Sequence, residues 1–580
     1  MTIRFSSPLL VLSIVVWPPL SSAQSTHYVG TEACAACHAD IAARYSKTAM
    51  GRSIVRGDDP VLLDRLPVPF TVFDSDAGEY FEVSRKEASI YQSQYAVDRD
   101  GKEIFRQTWK LAFVVGSGEN GFGFLLERDG YLFEAPLTYY TKSHVWSFSP
   151  GYQQRNLAFT RPVIAECVGC HSGRPQPVYG RTALYRKPPF AELAVGCENC
   201  HGPGGQHVVE RRAGRALAGK TDTSIVNPAH ISGWLSDNIC MKCHQGGDVR
   251  VEQPGKHEQD FRPGTRLDDV VAIFKAPLSR ETSSQSVLLE HYFSMTLSKC
   301  YRASAGALRC TSCHDPHTQP PPVEAGALYR ARCLSCHQPA SCKLPIEERR
   351  KTSPSDECAS CHMPKRTVTT ITHAALTEHR IVTRFDEPYP PEAFEPGQSS
   401  APGLLHLTAG AQSDAKIPAI TLFQAYSGLV HDGHSEFKTR ANEMLDRLAR
   451  ESPGNPVVLS ALARRAMGTG KPEAAEEAIR DFTGAIQAGT TAEDYLLLAG
   501  LCSKKKQNAE ALAVLQKGMR ANPYVREFSE SLAVEYMALG QYRDAADVIH
   551  KGLDLFPDDV ALRVLQKKVQ SATLDGSMTP

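Results

Sequence analysis

One five-residue pattern, Cys-x-x-Cys-His, occurs seven times in the chain: Cys34/Cys37/His38, Cys167/Cys170/His171, Cys197/Cys200/His201, Cys240/Cys243/His244, Cys310/Cys313/His314, Cys333/Cys336/His337 and Cys358/Cys361/His362. Fourteen of the 17 cysteines are used this way. Two thiols three positions apart suit the two vinyl groups of one haem, and the histidine that follows is carried under the iron as its proximal ligand. A zinc site could also use Cys-x-x-Cys pairs, but it has no reason to place His directly after every second cysteine. A disulfide framework suits a much shorter secreted chain. The pattern therefore predicts seven covalently attached haems c, with the seven motif histidines as proximal ligands.

At 580 residues the length allows three or four domains. The 64 basic and 64 acidic side chains cancel, so nothing points to nucleic acid as a partner. The first residues read as a secretory leader: Arg4, then the apolar run Pro8 to Leu20, then Ser21-Ser22-Ala23 with cleavage expected after Ala23. An apolar run this short and broken by proline is a poor membrane span, although an uncleaved anchor is the alternative reading. Export agrees with the motifs, because bacterial c-type haem is attached outside the cytoplasm, and it predicts a periplasmic or secreted protein.

Six stretches follow from the change of character along the chain: a leader over 1–23, a first haem-binding segment over 24–55, a β-rich insertion over 56–160, a six-haem domain over 161–386, a linker over 387–415 and a helical solenoid over 416–575. In the first segment Thr31 is positioned to start a helix that carries the first motif. Met50 reads either as a packing residue or as a distal iron ligand. Aromatic and β-branched runs from Phe70 to Tyr152, with Asp100-Gly101 and Asp129-Gly130 between them, predict antiparallel hairpins. Residues 161–386 hold few long apolar periodic segments and many Gly, Pro and His, so their core is expected to be the haems themselves. Glu387 to Gly403 is rich in Pro, Gly and Ser, which reads as a linker.

Beyond it the sequence repeats. Ala492 to Val525 and Arg526 to Asp559 are consecutive 34-residue units in which Leu498 matches Leu532, Ala511 matches Ala545, Leu515 matches Ile549, Gly518 matches Gly552 and Pro523 matches Pro557. That period with small residues at fixed offsets is the tetratricopeptide pattern of paired antiparallel helices. Two looser units precede them, with Ala441 and Ala475 in the small-residue slot. Such a solenoid either docks a partner protein or only stabilises the chain. The fold class is thus multidomain: a mostly α and irregular multihaem domain with an antiparallel β insertion, plus an all-α solenoid.

Histidines outside the motifs can complete the irons. The distal candidates are His207, His317, His373, His379, His144 and His291, with His27, His230 and His257 also in or beside this part. His207 and His317 lie too close behind their own motifs to reach the same iron from the opposite side, but they can reach a neighbour's. Bis-histidine ligation favours electron transfer, since it leaves no room for substrate.

Cys197-Glu-Asn-Cys200-His201-Gly-Pro-Gly-Gly-Gln-His207, Cys310-Thr-Ser-Cys313-His314-Asp-Pro-His317 and Cys358-Ala-Ser-Cys361-His362-Met-Pro with a histidine downstream resemble multihaem cytochromes of the c-554/c-prime type, relatives of pentahaem nitrite reductase and octahaem hydroxylamine oxidoreductase. The resemblance implies closely packed haems that pass electrons. It departs from the family at Cys300 and Thr48, where relatives often carry a ligand; either place leaves an iron open or differently held. Cys300 could instead pair with Cys342, and Cys502 reads as a buried thiol of the repeats. The expected function is electron relay with a redox partner docked partly by the solenoid. The alternative is an oxidoreductase with one open haem acting on a small nitrogen or sulfur compound. No Cys-x-x-Cys-Lys motif, one signature of such enzymes, occurs in the sequence.

Overall fold

The computed structural model describes residues 27–152, 156–215, 221–281, 289–365, 377–384, 386–395, 401–410, 416–488 and 490–574. The expected leader lies outside these residues.

Two antiparallel sheets build the β layer. Phe70–Asp74, Glu79–Lys86, Ser89–Val97 and Glu103–Lys110 form a four-stranded meander. Ile54–Arg56, Phe113–Val115, Gly123–Arg128, Tyr131–Glu134 and Arg161–Pro162 lie side by side in that order in a second sheet. Asp129-Gly130 turns the hairpin that pairs Arg128 with Tyr131, as the dipeptide predicts. In Glu79–Lys86 the first positions alternate between buried and half-buried, so Phe81 and Val83 face inward. There they share one apolar cluster with Phe124, Leu126 and Phe133 of the other sheet. The β layer is therefore a packed sandwich with its own core. Its edge strands, Ile54–Arg56 and Arg161–Pro162, come from the flanking segments.

The motifs sit on short helices, among them Ala165–His171, Glu198–His201, Gly233–His244, Cys310–Cys313, Pro322–Leu334 and Cys358–His362. The spacing explains this. Positions i, i+3 and i+4 fall on one helical face, so a single turn aims both thiols and the imidazole the same way. Amide-to-carbonyl bonds close that turn from His38 to Cys34 (2.9 Å), His201 to Cys197 (3.0 Å), His314 to Cys310 (3.0 Å) and His337 to Cys333 (3.0 Å).

Part of this region has a conventional interior, contrary to expectation. Val271–Lys275 is buried along its whole length and pairs on one side with Val249–Glu252 and on the other with Leu405–His406. Ile239, Met241, Phe261, Val271, Ile273 and Tyr292 pack into one cluster around it. A five-residue apolar run shows neither helical nor alternating periodicity, so the sequence reading passed over it. The stretch 387–415, expected as a linker, also packs where it is described: Tyr389, Ala393, Ala401 and Leu404 are buried.

The solenoid has the expected period. Ala492–Lys504 and Asn508–Ala521 are followed 34 residues later by Arg526–Ala538 and Tyr542–Leu555. Ala511, Ala545, Leu515 and Ile549 are buried at the matched positions. A methyl group on Gly518 would lie 2.4 Å from the ring of Phe528, which is why that slot holds glycine. The helices Ala419–His431 with Lys438–Glu451, and Pro456–Gly468 with Pro472–Ala488, supply the two looser units. The repeats are anchored at two places. Thr421 donates to Gln253 (3.0 Å) in the haem-motif region, and Tyr524 donates to Asp129 (2.5 Å) of the β layer while its ring packs edge-on against Tyr131 and Phe133.

Candidate functional site

Carboxylates and amides fix the motif helices to one another. Glu198, buried inside the Cys197 motif, accepts hydrogen bonds from the amides of Val29 (3.0 Å), Gly30 (2.8 Å) and Gly204 (2.7 Å). One carboxylate thus pins the segment before the first motif to the third. Glu192 takes both the amide and the hydroxyl of Thr31, so that threonine opens its helix but does not cap it. Lys242 Nζ donates to the Gly169 carbonyl (3.2 Å), joining the fourth motif to the second, and Asp237 accepts the Cys310 amide (3.2 Å), joining it to the fifth. Arg250, paired with Glu258 at 2.7 Å, donates to the carbonyls of Gln245 and Lys242 at the end of Gly233–His244.

The thiols meet across motifs. Cys34 neighbours Cys197, Cys170 neighbours Cys243, Cys240 neighbours Cys310 and Cys333 neighbours Cys358. Burial pushes the Cys200 thiol up to about 12, with Cys240 and Cys243 as its nearest charged neighbours. Cys300 and Cys342 are both free, and Cys300 stands beside Cys313, Cys333 and Cys336. The disulfide favoured from sequence is therefore not formed. The fold brings Cys300 to the fifth and sixth motifs instead. Cys502 is a buried thiol of the repeats, as expected.

In the first motif Cys37 lies beyond the helix that holds Cys34. The helix Thr31–Ala35 ends two residues before Cys37, which lies in the turn leading to Ala39–Tyr45. Cys37 is exposed, whereas Cys34 is half-buried against Cys197. The backbone still closes over the motif, with the Cys37 amide on the Cys34 carbonyl at 3.1 Å. Glu192 and Glu198 hold the chain up to Thr31, and nothing comparable covers the turn at Cys37 among the described residues. Cys336 and Cys361 are exposed in the same way at the second position of their motifs.

Four of the distal candidates lie against motif histidines. His38 and His207 have ring centres 6.4 Å apart and planes 20° from parallel, and His201 and His317 stand at 6.0 Å and 20°. His314 and His379 are separated by 6.4 Å at 34°, and His244 and His291 by 5.3 Å at 74°. The last two pairs adjoin, with His291 and His379 at 4.8 Å. The tightest ring stack among the described residues, Tyr179 on His257, is at 3.5 Å. Two imidazoles bound to opposite sides of one metal at about 2.0 Å per bond put their ring centres about 6.3 Å apart. Three of the four pairs have that spacing, so the residues fit a haem iron held between two histidines. Three of the four pairs cross motifs: His207, His317 and His379, which trail the third, fifth and seventh motifs, meet the imidazoles of the first, third and fifth, whereas His291 follows the fourth motif, to which its partner His244 belongs.

Hydrogen bonding prepares the ring nitrogens for this role. Nδ1 of His201 meets the Val226 carbonyl (2.8 Å), Nδ1 of His362 the Val382 carbonyl (2.7 Å) and Nδ1 of His379 the Thr377 carbonyl (2.8 Å). A carbonyl only accepts, so Nδ1 carries the hydrogen and the neutral ring leaves Nε2 as the ligating nitrogen. His207 and His317 use Nδ1 on Asp222 and Asp315. Burial lowers the pKa of His201, His314 and His379, and together with the neighbouring His379, His244 and His314 it draws His291 down to about 3. The low-pKa imidazole is the neutral, metal-binding form.

The other candidates stand apart. His144 is exposed at positive φ (56°) in the turn between Leu137–Tyr140 and Val145–Phe148 and makes no ring contact with a motif histidine. Its own hairpin holds it away, which corrects the reading of His144 as a distal ligand. His373 lies outside the described residues, and His379 follows an isolated bridge between Lys365 and Thr377 with no helix. Met50 is half-buried, and Thr48 is buried with its hydroxyl on the Tyr45 carbonyl. His406 was missing from the candidates; it is buried with Nε2 on Asp268 (2.7 Å), a structural histidine of the sheet edge. Glu198 was also missed, although an acid between the two cysteines of a motif was a visible signal.

Residues 147–202, which contain the second and third motifs, match the family described as cytochrome c554 and c-prime. The multiheme cytochrome MtrA of Shewanella baltica is 26% identical over 197 residues, 33% of this chain and 49% of MtrA. The C-type polyheme cytochrome OmcB of Geobacter sulfurreducens is 27% identical over 186 residues, 26% of this chain and 25% of OmcB. The chain thus spans about half the length of one curated relative and a quarter of the other. Among solved structures, MamA from Desulfovibrio magneticus overlaps 28% of this chain and 89% of its own at 18% identity and TM-score 0.24. YrrB, a repeat protein described with an unusual peptide-binding site, overlaps 29% and 83% at 16% and 0.24. Scores this low carry no weight, and the repeat assignment rests on the 34-residue helix spacing itself. The chain is a multihaem c-type cytochrome that carries tetratricopeptide-type repeats. Its cofactor is covalently bound haem c.

Proposed function

We propose that the protein relays electrons along seven haems, one on each motif, most of them held by two histidines. The observation that carries this reading is the set of cross-motif histidine pairs at 6.0–6.4 Å. On this reading His207 completes the site of His38, His317 that of His201, His291 that of His244 and His379 that of His314. The haem supplies the one-electron couple. The chain's own residues hold the two nitrogens at fixed spacing in both oxidation states, exclude substrate from the iron and fix the imidazole tautomer through Nδ1. Thiol contacts link motifs one to three, two to four, four to five and six to seven, and His317 and His379 link three to five and five to seven. All seven positions then belong to one connected cluster, as a relay requires.

The solenoid, anchored at Thr421 and Tyr524, offers its remaining surface to a redox partner protein. We place the protein in the periplasm or outside the cell, exported by the leader over residues 1–23. No helix among the described residues is long and apolar enough to cross a membrane. The test is haem-to-polypeptide stoichiometry together with optical spectra of the purified holoprotein. Seven haems, low-spin in both oxidation states, support the relay. A high-spin haem that binds nitrite, hydroxylamine or sulfite replaces it with the enzyme reading.

A further inference from the structure

Arg380 is the one guanidinium among the described residues with two buried nitrogens, Nε and Nη1, that have no hydrogen-bond partner. The residue is only 4% exposed. Its face is taken, since it lies over the Tyr389 ring at 4.3 Å. Stacking of that kind satisfies the flat face of the cation and leaves the N–H groups at its edges unmade. A buried cation with unmade hydrogen bonds is an expensive arrangement unless something supplies acceptors.

The surroundings fit an anion. Arg380 lines an open cavity of about 470 Å³ together with Lys299, Arg302, Arg384 and Glu387. Each of the other three cations has a carboxylate: Lys299 is 3.2 Å from Glu387, Arg302 is 3.0 Å from Glu392 and Arg384 is 3.3 Å from Asp386. Arg380 has none among the described residues, and four cations line the cavity against one acid. The position is equally specific. Arg380 follows His379 directly, Val382 two residues on accepts from Nδ1 of His362, and Lys299 and Arg302 flank Cys300, the thiol beside the fifth and sixth motifs.

We infer that this cavity binds an anionic oxygen group, a carboxylate or small oxyanion, on Arg380, and that its charge acts on the haem site of His314 and His379. The inference rests on the haem reading above for its consequence, but not for the anion itself. Two sources share the chemistry: a propionate of a haem carried by the protein, or a free oxyanion that enters from solvent.

The experiment uses the full-length holoprotein as wild type, Arg380→Leu and Arg380→Lys, each first checked for full haem content. That check separates failure of the haem reading from failure of this one. Calorimetric titration with sodium sulfite and with sodium nitrite is paired with a spectroelectrochemical titration of the haems. If the source is free oxyanion, one of the two salts binds wild type saturably, and Arg380→Leu abolishes the binding. If the source is a propionate, neither salt binds, and Arg380→Leu lowers the potential of one haem because a cation that favours the reduced state has gone. Arg380→Lys restores most of that potential. Identical haem titrations in all three proteins, with no anion binding that depends on residue 380, would overturn the inference.

Discussion

The imidazoles of His38 and His207 face each other at 6.4 Å with planes 20° apart, although one belongs to the first motif and the other trails the third. This separation suits two imidazoles on opposite sides of one metal. It makes the second ligand of one haem the property of another motif's helix. Replacing His207 with Ala should therefore change the haem on Cys34/Cys37 and leave the haem on Cys197/Cys200 low-spin. The expected result is the appearance of one high-spin haem in the optical and paramagnetic resonance spectra of otherwise fully loaded protein. His317→Ala should do the same to the haem on Cys197/Cys200.

Glu198 offers a test of how the motifs are held together. Its carboxylate gathers the amides of Val29, Gly30 and Gly204 in a buried setting. Hydrogen bonds to a charged group contribute about 1.5–3 kcal/mol each, net of the exchange with water. Glu198→Ala should cost about 3 kcal/mol and should show first as faster hydrogen exchange at residues 28–31. Equal exchange there in variant and wild type contradicts the clamp.

Tyr524 connects the repeats to the β layer through Asp129, Tyr131 and Phe133. Truncation to Ala removes an edge-on aromatic contact pair and a hydrogen bond to a charged acceptor, together about 2–4 kcal/mol. The expected outcome is earlier proteolytic release of the C-terminal repeats with haem spectra unchanged.

The repeats should also respond to pH. Burial, then the nearby Asp559, raises Glu530 to about 7. A carboxyl group whose folded pKa lies above its unfolded value of 4.5 favours the folded state fully at pH below 4.5, and that contribution is lost as pH rises through about 7. The thermal transition of the helical signal should thus fall between about pH 4.5 and pH 7 and level off above that, and Glu530→Gln should flatten that dependence.

The sequence announced its chemistry more openly than its architecture. Fourteen cysteines and seven histidines were legible from spacing alone, because i, i+3 and i+4 on one helical turn is local geometry. What spacing could not show is the setting of each thiol: Cys37 sits exposed past the end of its helix while Cys34 is half-buried, because the packing of Cys197 reaches only one of them. The 34-residue period was legible because it too is local, and Gly518 against Phe528 shows the contact that enforces it. Distal histidines were legible only as a set, since which ring faces which depends on how distant helices pack. His207 and His317 could be excluded from their own irons by chain length, whereas His144 could be placed only once its hairpin was seen. The strand Val271–Lys275 was hidden because burial on both faces erases periodicity. Arg380 was not legible at all, for an unpartnered side chain is defined by what the fold fails to bring to it.

The central claim is that histidines from different motifs close the irons into a relay. Low-temperature paramagnetic resonance of the fully oxidised, fully haem-loaded protein tests it most directly. The account expects low-spin signals throughout, including the spin-coupled signals of closely neighbouring haems. A dominant high-spin signal, unchanged by the His207→Ala and His317→Ala substitutions, would contradict it.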